Sequence, residues 1–202
     1  MAVQGVGPIG ATAVQLLAAW GCKITALGDG RYGVYDPAGL DVVSVLRHYD
    51  EHESLRDFPF GTAVSGSALA AAPCDILVLS GFERIDGEAA QSVDATLIVE
   101  GAYGAITPDA DAVLEGRGIW VLPDILAGSG GAVASYFEWV QDLQETFWSE
   151  DDINERSDSV LRRAFAEVRG LSERDGISLR LAAYCLAVDR VAEAHRIRGL
   201  YP

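Results

Sequence analysis

Lysine is almost missing from this chain: of fifteen basic residues only Lys23 is a lysine, against thirty acidic ones, leaving a formal charge of −15. So acidic a chain repels nucleic-acid phosphates and anionic lipid headgroups, which excludes nucleic acid and membrane surfaces as expected partners. Cysteine is scarce as well. Cys22, Cys74 and Cys185 are odd in number and far apart, so neither a disulfide framework nor a zinc site is indicated and the three are expected to be small buried hydrophobes. No run approaches the roughly 20 uninterrupted apolar residues that span a bilayer, and the first twenty positions lack the basic start of a secretory signal; a cytoplasmic location is expected. Internal repeats and low-complexity tracts are lacking too. What is present is a chain of 202 residues, 50% hydrophobic and 22% charged, enough to fold as one domain or one and a half. Arginine-rich basicity amid abundant acids suits a solvated surface in a high-salt or GC-rich organism.

Along the chain, Val3-Gln4-Gly5 reads as the end of a buried strand and Ala11 to Trp20 as a helix, so the chain opens strand, glycine turn, helix. A second strand is expected over Lys23–Leu27, then a turn at Gly28-Asp29-Gly30, an extended piece over Tyr32–Asp36 and a helix around Leu40–His48. Residues 49–61 read as a polar surface loop. Continuously apolar runs over 75–79, 96–99 and 119–122 have the character of strands covered on both faces. Helices fit between them at Gly87–Val93 and Pro108–Glu115, so the expected fold is α/β: a Rossmann-like, doubly wound, mostly parallel sheet. Beyond Pro123 three long helices are expected, Val133–Trp148, Asp151–Arg174 and Ser178–Arg198, the second capped by Ser149. The expected division is a dinucleotide-binding domain over 1–127 and an all-helical extension over 128–202.

Gly5-Val6-Gly7-Pro8-Ile9-Gly10 is a G-x-G-x-x-G set lying between a strand and a helix, the context that gives the motif weight as a dinucleotide fingerprint. Gly5 permits the tight turn, Gly7 lets a pyrophosphate approach the backbone and Gly10 allows close helix–strand packing. Pro8 suits the first helical turn, where its missing N–H costs little. Asp29, nineteen residues past Gly10, stands where an acid accepts hydrogen bonds from adenosine ribose hydroxyls and repels a 2′-phosphate, which favours NAD, with NADP as the other cofactor. An ordinary turn aspartate between two glycines is the alternative. His48 and His52, four apart among acids, have the spacing of metal ligands on one helical face; a solvated loop is the favoured reading, and no metal is expected. Ser65-Gly66-Ser67 lacks the order of a hydrolase elbow.

The segments Val3-Gln4-Gly5-Val6-Gly7, Tyr35-Asp36-Pro37-Ala38-Gly39-Leu40-Asp41, Val99-Glu100-Gly101-Ala102, Thr107-Pro108-Asp109-Ala110-Asp111, Pro123-Asp124-Ile125-Leu126-Ala127 and Ser135-Tyr136-Phe137-Glu138-Trp139-Val140-Gln141, with the terminal Arg190-Val191-Ala192-Glu193-Ala194 and Arg198-Gly199-Leu200-Tyr201-Pro202, run in order along the chain. Together they resemble the cofactor domain of the glutamate dehydrogenase family. The resemblance implies that Ser80, Gly81 and Tyr103 join the glycine turn against a nicotinamide cofactor, and that Ser135 contacts a substrate side-chain carboxylate. It also implies that hydride passes between an amino-acid α-carbon and the nicotinamide, yielding a 2-oxoacid and ammonia. By the same resemblance the lysines and aspartate that handle protons would belong to a separate N-terminal domain, which is expected to be missing here, so no catalytic residue is assigned.

Several positions depart from the family's pattern. Tyr103, Ala105, Arg84 and Gly128 stand in place of three asparagines and a proline, and Leu79-Ser80-Gly81 in place of Pro-Ala-Ala. Each orienting hydrogen bond lost to the missing amides removes about 0.5–1.5 kcal/mol of grip. The expectation is therefore a gene fragment, or one half of a split enzyme, inactive alone and using an amino-acid substrate only when the other half is supplied. Two alternatives belong to other classes: a non-catalytic subunit that joins a full-length homologue, and a plain dinucleotide-binding module.

Overall fold

Strands that read as unbroken apolar runs need helices on both faces, and the computed structural model, which describes residues 1–199, supplies them. The elements are β1 (Ala2–Gln4), α1 (Pro8–Ala19), β2 (Ala26–Gly28), β3 (Tyr32–Tyr35), α2 (Val42–His52), β4 (Thr62–Ser65), a 3-10 helix (Gly66–Ala71), β5 (Ile76–Leu79), α3 (Gly87–Ser92), β6 (Leu97–Glu100), α4 (Pro108–Gly116), β7 (Trp120–Leu122), α5 (Asp124–Ala127), α6 (Gly130–Gln144), α7 (Glu150–Asp175) and α8 (Leu179–Arg198). The seven strands form one sheet in the order β4-β3-β2-β1-β5-β6-β7. From β2 through β7 along that order all pairings are parallel, while β3 runs antiparallel to β2 and to β4.

Alternation along the strands divides the core. Val3, Leu27 and Val78 face Val14 of α1 and Val45 and Leu46 of α2. Ala2, Leu77, Leu79 and Ile98 face Ala90 of α3 and Ala110 and Leu114 of α4. Each fully buried Leu or Val contributes about 1.5–3 kcal/mol, so the sheet is held from both sides. After β1 the chain winds outward to β2, and β5 returns to the other side of β1. The strand order reverses there, and open α/β sheets bind ligands at the carboxyl ends of the strands flanking such a reversal.

The chain divides into two compact units, Met1–Asp124 and a second beginning at Ile125. Within the second, α6 packs on α7 and α7 on α8. Ser149 opens α7 with a capping box, its Oγ accepting from Asp152 N while the Asp152 carboxylate accepts from Ser149 N. Among the described residues no helix is long and apolar enough to cross a membrane.

Several local expectations need correction. The second strand is Ala26–Gly28 rather than Lys23–Leu27, although Thr25 N already donates to Met1 O. The polar stretch expected as loop over 49–61 continues α2 to His52, and Glu53 ends it in the left-handed region at φ 52°; Leu55 beyond it is 3% exposed. β4 and the 3-10 helix were not foreseen, because Thr62-Ala63-Val64-Ser65 is a short, largely exposed edge strand. Helix α6 starts earlier than expected, at Gly130, and stops at Glu145, φ 50°. Trp148, expected inside it, instead donates its N–H to Gln141 Oε1. Cys185 is exposed and Cys22 and Cys74 are only part-buried, so the three are not uniformly core residues. Leu200, Tyr201 and Pro202, the end of the last family-like segment and of the expected extension, lie outside the described residues.

Candidate functional site

The glycine turn joins β1 to α1 at the reversal in strand order. Gly5 has φ 110°, and its N–H donates to Gly28 O at 2.8 Å. A Cβ there would stand 2.4 Å from Gly81 N, and one on Gly10 would stand 1.9 Å from Gly5 O. Both glycines are therefore demanded by packing, and Gly5 by its backbone angle as well. Gly7 differs: its backbone is extended and a Cβ on it would meet nothing within 4 Å. It faces open space at the start of α1, where the first N–H groups have no helical partner and the helix dipole is positive. That is a cradle for an anion. Pro8 sits at the first helical position, and Ile9 is 60% exposed. Val6 is 4% exposed and belongs to the core, so only its backbone reaches the turn.

Ser80 and Gly81 follow β5 and lie beneath this turn. The single Ser80 hydroxyl proton is shared between Gln4 O at 3.0 Å and Gly5 O at 3.1 Å, so the side chain braces the turn. Gly81 packs against Gly5. Gln4, last residue of β1, is 4% exposed with its Oε1 unpaired, a buried acceptor at this end of the strand that the sequence reading passed over.

Asp29 is engaged by the protein. Its Oδ1 accepts from Arg31 N and Tyr32 N, each at 2.8 Å, and its Oδ2 from Leu55 N at 2.7 Å and Ser54 Oγ at 3.1 Å. Burial pushes this carboxyl up, but the Tyr32, Leu55 and Arg31 amides and the Ser54 hydroxyl outweigh it and hold it below its ordinary value. Four donors meet the acceptor capacity of one carboxylate. The residue clasps the β2–β3 turn to the loop after α2.

Glu83, which sequence reasoning missed, lies closer to the crevice. Its Oε1 stands 1.9 Å from the place a Gly30 Cβ would take, and its Oε2 stands 2.5 Å from the corresponding place on Gly81. Tyr103 is 72% exposed on the loop after β6. That loop is tied to the one after β5 by an Ile85–Ile106 bridge, with Ile85 N donating to Ala105 O at 2.8 Å and Thr107 N to Ile85 O at 3.0 Å. Ala105 is 3% exposed, which accounts for a small residue there. The fully buried Glu100 carboxylate accepts from Ile106 N and Asp124 N, each at 3.0 Å, and Asp124 Oδ2 accepts from Gly104 N at 2.9 Å. Two acids thus set the shape of the loop that carries Tyr103.

Ser135 is exposed on α6, in the second unit. The Lys23 side chain is exposed before the amino end of β2, away from the crevice. The His48 and His52 rings stack at 4.3 Å, with His48 Nε2 turned to Arg56 O and His52 Nδ1 to His48 O. A carbonyl accepts only, so those two nitrogens carry the protons, and among the described residues no group of three or more His, Cys, Asp or Glu side chains is placed to hold a metal ion. A cavity lined by Met1, Lys23, Thr25, Cys74 and Asp94 lies at the amino ends of the strands, the opposite end from the glycine turn.

The family model for Glutamate/Leucine/Phenylalanine/Valine dehydrogenase matches residues 1–199. A glutamate dehydrogenase of Thermotoga maritima is 42% identical over 204 residues, covering 100% of this chain and 49% of its own length. Halobacterium salinarum has an NAD-specific glutamate dehydrogenase A at 39% identity and an NADP-specific glutamate dehydrogenase A1 at 41%; each covers 100% of this chain, over 46% and 49% of its own length. Among solved structures, the hetero-hexameric glutamate dehydrogenase of Thermus thermophilus in its Leu-bound form superposes with a TM-score of 0.91 at 38% identity, covering 100% of this chain and 48% of that one. The chain spans about half the length of the curated relatives it matches. Sequence, sheet order and glycine turn agree, and the chain belongs to the Glutamate/Leucine/Phenylalanine/Valine dehydrogenase family.

Proposed function

We propose that this chain is the cofactor-holding half of a glutamate-dehydrogenase-like oxidoreductase, binding NAD or NADP over the carboxyl ends of β1 and β5. The observation that carries the reading is the contrast within the glycine set: Gly5 and Gly10 are closed by packing while Gly7 opens onto the start of α1. The residues present fit a dinucleotide there. The backbone of Gly5, Val6, Gly7, Pro8, Ile9 and Gly10 would cradle the pyrophosphate, and Ser80 and Gly81 would hold that turn in shape. Tyr103, on its braced loop, would border the nicotinamide end. Once bound, the cofactor supplies the hydride acceptor for oxidation of an amino acid, glutamate by likeness to the relatives. Ser135 would meet the substrate's side-chain carboxylate.

Hydride transfer requires both reactants in near-attack geometry, and this half contributes no lysine to the crevice. The isolated chain is therefore inactive in this reading, in a cytoplasmic setting, until a half bearing the proton-handling groups joins it. We take 1–127 as the cofactor domain and the helices from 128 onward as the part that half would pack against. Calorimetric titration of the chain with NAD and NADP tests the reading. Saturable binding of either supports it, and binding of neither ends it.

A second reading has its own observation. On α6 and α8, Trp139, Leu143, Leu181, Tyr184, Val188 and Val191 are each at least 49% exposed, more apolar surface than a solitary helical unit normally leaves in water. A non-catalytic subunit that docks on a full-length homologue would cover it. Co-purification with such a homologue, without any change in its turnover, separates this role from that of a missing half.

A further inference from the structure

We propose that Glu83, rather than Asp29, is the carboxylate that reads the adenosine ribose, accepting from its hydroxyls and turning away a 2′-phosphate. This rests on the dinucleotide reading given above and adds a specificity residue to it. Glu83 sits in the loop after β5, on the far side of β1 from the strand whose end normally supplies that acid.

Three observations place it. One Glu83 oxygen lies against Gly30 and the other against Gly81, while Gly81 packs directly on Gly5. The carboxylate therefore bridges the ends of β2 and β5 across the glycine turn. Gly30 and Gly81 carry no side chain to stand in its way; any Cβ at Gly30 would occupy the position Oε1 holds. Finally, among the described residues no hydrogen bond or ion pair reaches this part-buried carboxylate, although Asp29 nearby accepts four. A carboxylate kept from full hydration without donors is costly. Vicinal hydroxyls would supply two donors at once, and a phosphate ester in their place would bring like charge against it. Arg31 and Arg56, the cations adjoining the Asp29 clasp, are exposed and neither bonds Glu83. The likeness to relatives leaves the choice open, since both NAD-specific and NADP-specific enzymes match the chain to the same degree.

The test is isothermal titration of the 202-residue chain with NAD and with NADP, for the wild type, E83Q and D29N, with the thermal midpoint of each ligand-free variant as a control for folding. The wild type is expected to prefer NAD. E83Q should lose about tenfold in NAD affinity with no matching loss for NADP, an effect the size of one hydrogen bond to a charged group. D29N should keep the wild-type ratio while its ligand-free midpoint falls. An unchanged ratio in E83Q, an equal tightening of both cofactors, or a ratio lost only in D29N would each overturn the assignment and leave dinucleotide binding intact. Failure of every variant to bind either cofactor would remove the dinucleotide reading, and this assignment with it.

Discussion

Gly7 and Gly10 carry the same motif letter but answer to different forces, and a pair of alanines separates them. Gly10→Ala drives a methyl into Gly5 O and the Ser80 hydroxyl; overpacking of this kind costs about 1–3 kcal/mol, read as a lower thermal midpoint before any ligand is added. Gly7→Ala meets no atom, so the ligand-free midpoint should stay within about 0.5 kcal/mol of wild type while NAD affinity falls. Asp29 makes a third case. Its folded-state carboxyl is held below the unfolded value of about 3.9, so the unfolded chain takes up the proton first. The stability it contributes is whole above that value and drains as pH falls through the folded one. D29N should therefore be less stable at neutral pH and show a shallower loss on acidification, as followed by circular dichroism. The glycine turn of the candidate site was legible in the sequence because spacing and context alone specify it. The approach of Glu83 to Gly30 and Gly81 was not, since a lone acid in a loop has no pattern and only the fold brings it there.

At the level of elements, α7 depends on its first turn. Ser149→Ala removes one arm of the capping box and should cost about 1 kcal/mol, visible in the urea midpoint. Glu100→Ala should be worse. It leaves the Ile106 and Asp124 amides facing a hole where a buried carboxylate stood, at about 1–3 kcal/mol for each buried donor left unpaired. The parallel strands were readable because apolar runs bounded by turn residues have few other uses. The hairpin partner β4 was not, because an exposed edge strand carries little of that signal, and the polar end of α2 read as loop because its residues are solvated. Boundaries moved where a local contact outweighed periodicity: the Trp148 ring leaves the helical path and packs edge-on against Phe137 at 5.8 Å.

For the molecule as a whole, charge is the dominant fact. With a formal −15 spread over 202 residues, self-repulsion works against the folded state and salt screens it. The thermal midpoint should climb as sodium chloride rises from millimolar to molar; a flat response would mean that the charges are already compensated locally. Lysine scarcity has a practical corollary. Among these 202 residues Lys23 is the one lysine side chain, exposed before the first residue of β2 and across the sheet from the glycine turn. A lysine-directed sensor surface or dye therefore attaches at that pole, leaving the crevice turned toward the solution.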